Sequence, residues 1–222
     1  MNRLWQIMPS MAFKLGLYDG VIKIGEARKR GNFGVGQFAR LDGELTVLEG
    51  KFYHARSDGS VRLAEDDDEL CFAQLCFYEA PQAWNVPGGM DMTQFGAYLT
   101  SLMPFPNFFW AFHLSGQFAN VTPTAPPPFT KPYPPFADAI KLRQSFPASD
   151  IAGAVVGFYS PPFTGDTGVP GFHYHFISRN GLLSGHLTAF EVKEATVSAA
   201  RIDQYLLQLP STSEYEGATL GH

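Results

Sequence analysis

Three histidines that fall within fourteen residues constrain this chain more than any other feature of its sequence. His173 and His175 lie in the run FHYHFI, which is aromatic and β-branched and therefore favours a strand. Residues i and i+2 of a strand point to the same face. Asn180-Gly181 then indicates the turn of a hairpin. A returning strand would bring His186 beside the first two histidines, so that three imidazoles converge on one point.

Three neutral imidazoles are a suitable ligand set for Zn²⁺, with copper, iron and nickel as alternatives. Zinc is the first choice because the ligands are all nitrogen and the sequence offers no redox partner. A fourth ligand is not visible nearby, and three protein ligands with an open position are typical of a catalytic zinc. A single histidine on an apolar strand is usually a core residue, but two on one face with a third opposite fit a metal site better. The sequence therefore predicts that His173, His175 and His186 bind zinc.

The length and charge of the chain exclude some classes of function. Its 222 residues fit one large domain or two small, closely packed ones. The formal net charge of −5 and the lack of a basic stripe argue against nucleic acid as a partner. The first twenty residues lack the apolar core of a signal peptide, and no run is long enough to span a membrane. We therefore expect a cytoplasmic protein.

Cys71 and Cys76 lie in an apolar, strand-like run. Their odd separation points the two side chains to opposite faces of a strand, which argues against a disulfide between them. We expect both to be buried thiols in a reducing compartment.

Short helices and many short strands are predicted, and so a β-rich α/β or α+β fold. Helices are expected at 10–15, 21–30, 92–103 and 136–144. Ser10 is the expected cap of the first, and the third is expected to begin after Asp91 and to stop at Pro104. Strands are expected at 33–38, 41–48, 50–56, 70–78, 107–114, 117–121, 151–159, 191–199 and 204–209. A turn at Gly116 is expected to separate the strands 107–114 and 117–121. The proline-dense run 122–135 is interpreted as a linker or an extended loop over a site, and 211–222 carries little pattern.

Several of these stretches, in the same order, resemble the α-acetolactate decarboxylase family. VPGFHYHFISRNGLLSGHLTAF is similar to the metal hairpin of that family, and GNFGVGQFARLDGELTVLEGKFYHARSDGSVR to its N-terminal strands. NFFWAFHLSGQF, KPYPPFADAIK and AGAVVGFYSP match further blocks. The resemblance extends from about Met8 to Leu209, nearly the whole chain.

The resemblance implies a fold and an activity. A mixed β-sheet domain, residues 1–125, would pack on a smaller β-barrel-like domain, residues 126–222, with the metal between them and a homodimer formed through the sheets. The reaction would be the decarboxylation of (S)-2-acetolactate, a small 2-hydroxy-3-keto acid, to (R)-acetoin without an organic cofactor. Zinc on the three histidines would stabilise the enediolate charge as a Lewis acid. Glu44, in the LDGEL block, would reach the active site and supply the proton or orient the bound water.

The chain departs from the family pattern in two places. Family members carry an arginine in a Thr-Arg-Thr run, thought to contact the substrate carboxylate, whereas the corresponding 121–126 here is VTPTAP. They also continue into a C-terminal segment that contributes a second glutamate, for which Glu214 and Glu216 are the candidates here. His113 lies where the family often has a basic residue, and we expect it to be structural.

Three hypotheses follow from these departures. The first is an acetolactate decarboxylase in which Lys131 or Arg143 binds the carboxylate, and a cation near the open metal position would favour it. The second applies the same chemistry, as a decarboxylation, isomerisation or cyclisation, to a larger and less polar substrate of secondary metabolism, and an apolar cavity at the metal would favour it. The third is a non-catalytic zinc-binding protein, which Glu44 turned away from the metal would favour.

Overall fold

The protein contains two β-sheets, and the computed structural model describes residues 2–103 and 106–220 of it. The first sheet contains β1 (Arg3–Ile7), β2 (Ile22–Lys23), β3 (Phe33–Phe38), β4 (Glu44–Leu48), β5 (Lys51–Ala55), β6 (Val61–Leu63), β7 (Glu69–Cys76) and β14 (Gln204–Gln208). The second contains β8 (Ala83–Val86), β9 (Phe109–Ala125), β10 (Gln144–Ser145), β11 (Ala148–Ser160), β12 (Gly171–Ser178) and β13 (Ser184–Ile202). The described α-helices are α1 (Ser10–Lys14), α2 (Ile24–Ala27), α3 (Met92–Leu102), α4 (Phe136–Ala139) and α5 (Ser213–Gly217). Turns of 3₁₀-helix lie at Ala39–Leu41, Ile140–Leu142 and Pro162–Thr164.

The first sheet is mixed, as expected. Its strands follow the order β14-β1-β7-β3-β4-β5-β6, and β2 also pairs with β7. Among the described strands of this sheet, β1 pairs with β14 in parallel, and the other neighbours are antiparallel. The last strand of the chain thus returns to the first, so both ends of the sequence contribute to one sheet.

The second sheet is antiparallel and partly closes on itself. Strands β9, β11, β12 and β13 pair in a ring, because β13 contacts both β12 and β9. The contact between β12 and β13 is limited to three residue pairs, so the barrel-like description holds in part. By sheet membership β8 and β9 go with the later strands, and the division of the chain at residue 125 stays a prediction.

An apolar layer joins the two sheets. Phe33 and Val35 of β3 pack in one cluster with Val156 and Phe158 of β11, and the rings of Phe33 and Phe158 meet edge to face at 5.8 Å between centroids. Fully burying a side chain of this size contributes about 1.5–3 kcal/mol relative to exposure. The packing fixes one sheet against the other, so polar residues at the edge of this layer are held at defined distances.

The strand through Gly116 differs from its prediction. The sequence predicts a turn there, whereas β9 runs on without interruption. A Cβ at Gly116 would lie 2.1 Å from the carbonyl oxygen of Glu194 on the neighbouring β13, so the glycine permits a close approach of two strands. The predicted turn was therefore wrong, and the strand predicted at 191–199 is the middle of the long β13.

The predicted helices have mixed outcomes. α3 is confirmed, with Asp91 and Gln94 forming a capping box, while Pro104, its predicted stop, lies outside the described residues. α1 is confirmed, but Pro9 occupies the N-cap position and Ser10 Oγ donates to Asp166 O instead. The ten-residue helix predicted at 21–30 was wrong, because Ile22 pairs with β7 and leaves only the four residues of α2 helical.

Other regions add smaller findings. Of the residues predicted as helix at 136–144, α4 and the following 3₁₀ turn are helical. The tail, which carried little pattern, contains α5 with Thr212 as its cap. Cys71 and Cys76 are buried free thiols that pack in different clusters, as the odd spacing predicts. No helix in the described ranges is long and apolar enough to cross a membrane.

Candidate metal centre

The predicted hairpin forms and brings the three histidines together. His175 on β12 pairs directly with His186 on β13, and His173 lies two residues earlier on the same face of β12. The His173 Nε2 atom lies 3.2 Å from His186 Nδ1. One ring nitrogen from each histidine lies within 4.8 Å of the others, so the group could hold a metal ion.

The environment keeps these imidazoles neutral. Burial and, to a smaller extent, the neighbouring His186 lower the pKa of His173 to about 3. Burial, followed by the charge of Arg143, lowers the pKa of His186 to about 4. Burial and the two other histidines hold the pKa of His175 well below its ordinary value. Neutral imidazoles present the free lone pairs that a metal ligand needs.

The residues fit a metal ion. Nε2 of His175 is buried, yet it has no hydrogen-bond partner among the described residues. Buried polar atoms are normally satisfied, so an unpartnered nitrogen inside a cluster of imidazoles fits a metal ligand. The 3.2 Å between His173 Nε2 and His186 Nδ1 is close to the ~3.3 Å expected between two nitrogens on one tetrahedral zinc.

Glu44 reaches the histidines from the first sheet. Its Oε2 lies 3.5 Å from His175 Nε2 and accepts a hydrogen bond from Gln37 Nε2 at 2.8 Å. The side chain is 5% exposed, and burial raises the pKa of its carboxyl well above the ordinary value, against smaller opposing effects of Gln37 and Arg143. A carboxyl in this environment retains its proton at pH values where an exposed glutamate has lost it.

A tight turn presents Glu44 at the start of β4. Leu41 and Gly43 both have a positive φ, at 58° and 78°. A Cβ on Gly43 would lie 2.1 Å from the Ala55 carbonyl oxygen, so only glycine fits there. The buried ring of His54 forms a hydrogen bond with the Asp42 carbonyl through Nε2, which fixes the turn from the next strand. The Asp-Gly-Glu sequence is therefore not an exposed loop, because the turn directs the Glu44 side chain into the protein.

A cavity of about 280 Å³ opens on the centre. Its polar lining residues include Gln37, Glu44, His173 and His186. Much of the remaining wall is apolar, with the side chains of Phe13, Phe72, Phe136, Ile140, Val169 and Phe172. A cavity of this size is suited to a small molecule rather than to a polymer.

Among the described residues that line this cavity, Arg143 is the one arginine, and Lys14 is a second cation. Gln144 pairs with Ala125 of β9, and this register brings Arg143 to the mouth of the site. No described residue forms an ion pair or a side-chain hydrogen bond with Arg143, and its charge lowers the pKa of both Glu44 and His186. A cation facing the glutamate and the histidines is thus available for an anionic ligand.

The other residues considered from the sequence lie elsewhere. Lys131 forms ion pairs with Asp19 and Glu214, and all three line a separate cavity of about 490 Å³ that contains none of the histidines. His113 packs edge to face with Phe33 and Tyr78, and it does not line the 280 Å³ cavity.

Sequence reasoning missed three polar residues at the centre. Gln37 pairs with Glu44 across β3 and β4, and Thr46 and Ser184 lie buried next to His175. Gln37 could have been found from the register of the predicted hairpin between β3 and β4. Thr46 and Ser184 come from different sheets, and nothing in the sequence indicates that they meet.

The family model described as alpha-acetolactate decarboxylase matches residues 4–222. The chain belongs to this family. Its relatives include the alpha-acetolactate decarboxylases of Bacillus licheniformis, 33% identical over 97% of this chain and 85% of that protein, and of Bacillus subtilis, 30% identical over 99% and 86%. The crystal structure of the Bacillus subtilis enzyme superposes with a TM-score of 0.96, at 30% identity, over 99% of this chain and 94% of that one.

A further solved structure has the same fold at lower sequence identity. A Staphylococcus aureus protein of unknown function, described as similar to alpha-acetolactate decarboxylase, superposes with a TM-score of 0.94 at 25% identity over 98% of this chain and 94% of that one. The fold is therefore retained at 25% identity, and the activity of each of these proteins must be argued from its own site.

Proposed function

We propose that this chain decarboxylates 2-acetolactate to acetoin at a divalent metal held by His173, His175 and His186, with zinc as the first choice. Family membership supports the reaction, and the site supplies the parts it needs. The observation that carries the proposal is Arg143, a cation at the mouth of the cavity with no ion-pair partner among the described residues. A carboxylate substrate would provide that partner.

The substrate is oriented by its two ends. Its carboxylate pairs with the Arg143 guanidinium, a group whose geometry matches carboxylates. Its hydroxyl and ketone oxygens, on adjacent carbons, then face the three histidines. A divalent metal there supplies Lewis-acid stabilisation of negative charge on these oxygens.

Two bonding changes complete the reaction. The bond between the carboxylate carbon and C2 breaks, CO₂ leaves, and the electron pair moves into an enediolate that spans C2 and the former ketone carbon. Glu44 then donates its proton to C2, which gives acetoin, and the bulk solvent returns a proton to Glu44. The raised pKa keeps the Glu44 proton in place until it is needed, and its position on one side of the cavity directs protonation to one face.

A second candidate has its own support. The apolar wall formed by Phe13, Phe72, Phe136 and Phe172 would accommodate a bulkier and less polar enolisable acid, processed by the same chemistry. The non-catalytic alternative has less support, because Glu44 faces the histidines at 3.5 Å. The homodimer and the cytoplasmic location remain predictions, and sedimentation of the purified protein tests the first.

The experiment is a product assay. Zinc-loaded protein is incubated with racemic 2-acetolactate, and acetoin is followed by chiral chromatography, with His175→Ala as the control. We expect (R)-acetoin from the zinc-loaded wild type and none above background from the variant. A protein that holds zinc and yields no acetoin would overturn the proposal in favour of another substrate.

A further inference from the structure

A short chain of hydroxyl groups runs from His175 into the protein. Thr46 Oγ1 lies 3.4 Å from His175 Nδ1 and 3.0 Å from Ser184 Oγ, and Ser184 Oγ lies 2.7 Å from the Phe176 carbonyl oxygen. Thr46, His175 and Ser184 are all buried, at 0%, 0% and 2% exposure. Bulk water therefore cannot substitute for any of these contacts.

The carbonyl end of this chain sets the direction of every hydrogen bond in it. A carbonyl only accepts, so the single hydrogen of Ser184 is donated to Phe176 O, the shortest contact of the three. Ser184 Oγ must then accept from Thr46, and Thr46 Oγ1 is left to accept from the His175 ring. That requires hydrogen on Nδ1 of His175, which leaves a bare lone pair on Nε2, the nitrogen that faces Glu44.

We infer that Thr46 and Ser184 form a hydroxyl relay that positions His175 and fixes the tautomer in which Nε2 binds the metal. This inference rests on the metal site of the proposed function. Thr46 belongs to β4 of the first sheet, whereas His175 and Ser184 belong to the second. The relay thus crosses between the sheets, and metal binding is coupled to how they pack. Partners on the far nitrogen of a ligating histidine commonly change metal affinity 10- to 100-fold when they are removed.

A competing acceptor makes the inference testable. The backbone of Leu45 also forms a hydrogen bond with the His175 ring. If the Leu45 group alone orients the ring, the Thr46 hydroxyl is dispensable. Thr46→Val keeps the shape of the side chain and removes the hydroxyl, so it separates the two cases.

Zinc affinity, measured by competition with a chromophoric chelator, is the readout. We expect Thr46→Val to weaken zinc binding about 10-fold or more, and Thr46→Ser, which keeps the hydroxyl, to restore it. Ser184→Ala should weaken binding in the same direction, and the double variant should be no weaker than Thr46→Val alone, because members of one relay are not additive. Thr164→Val is the matched control, since Thr164 is buried and its hydroxyl donates to Pro161 O outside the cavity.

The outcomes are distinct from those of the activity assay. Zinc affinity of Thr46→Val equal to that of Thr164→Val would overturn the relay, even if the protein makes acetoin. Weaker zinc binding in Thr46→Val with rescue in Thr46→Ser would support it, even if no acetoin forms. Circular dichroism of the metal-free variants checks that each is folded, and a Thr46→Ser variant that folds but fails to restore affinity also counts against the relay.

Discussion

Replacing Glu44 by glutamine probes the buried carboxyl directly. Burial raises the pKa of Glu44 well above its ordinary value of 4.5, so in metal-free protein the folded state keeps this proton after the unfolded state has lost it. Its contribution to stability is fully present below pH 4.5 and is lost as the pH rises through the folded pKa. Between these two values, each pH unit removes about 1.4 kcal/mol from the free energy of unfolding of the wild type. The glutamine of Glu44→Gln does not titrate in this pH range, so the variant does not undergo this loss of stability.

The assay is urea unfolding of metal-free wild type and Glu44→Gln across pH 4.5–8, a range that starts at the ordinary pKa of a glutamate. Both proteins contain the same histidines, so the difference between the two curves isolates the Glu44 carboxyl together with its coupling to His175, 3.5 Å away. As the pH rises, we expect the free energy of unfolding of the variant to increase relative to that of the wild type by about 1.4 kcal/mol per pH unit, until the pH exceeds the pKa of Glu44 in the folded state. Two curves that stay parallel over the whole range would refute a raised pKa for Glu44.

The same variant tests the proposed proton donation. In zinc-loaded protein we expect Glu44→Gln to lower kcat by about 10²–10⁴, the range typical of a general acid, without loss of zinc. Glu49→Gln, at an exposed position just beyond β4, is the matched control and should retain the wild-type kcat. A Glu44→Gln variant with the wild-type kcat would exclude Glu44 as the proton donor.

Three further predictions concern the rest of the site. Arg143→Met should raise KM by about 10-fold or more with little change in kcat, because the guanidinium holds the carboxylate equally in the bound substrate and in the transition state, before CO₂ has separated. Arg179→Met, outside the cavity, is the control, and an unchanged KM in Arg143→Met would contradict the role of Arg143. Metal-free protein should lose stability as the pH falls from 6.5 through the lowered pKa values of the three histidines, by up to about 4 kcal/mol per pH unit in urea unfolding, and zinc should suppress this loss. His175→Ala should retain no stoichiometric zinc by metal analysis after dialysis, while His113→Ala should retain it.

The parts that could be predicted from the sequence are those set by local pattern. The histidine hairpin follows from aromatic and β-branched residues around Asn180-Gly181, and the α3 boundary from Asp91. The prediction of a turn at Gly116 was wrong because the sequence does not distinguish a glycine that permits close strand packing from a glycine that turns the chain. The 21–30 helix failed because pairing of Ile22 with β7 outweighs local helical propensity.

Only part of the candidate site could be predicted from the sequence. His173, His175 and His186 are neighbours on one hairpin, so their convergence follows from strand geometry. Glu44 comes from the other sheet, and only the resemblance to a family indicated that it would face them. The choice of Arg143 over Lys131 depends on a short β9–β10 pairing and on the ion pairs of Lys131, neither of which a single sequence reveals.

The most direct measurement is a titration of metal-stripped protein with Zn²⁺ while acetoin formation from 2-acetolactate is followed. We expect activity to rise in proportion to bound zinc, to level off at one equivalent per chain, and to be absent from His175→Ala throughout. Protein that binds one zinc per chain and still forms no acetoin would contradict the proposed reaction, and would direct attention to the bulkier acids that the phenylalanine wall of the cavity would accept.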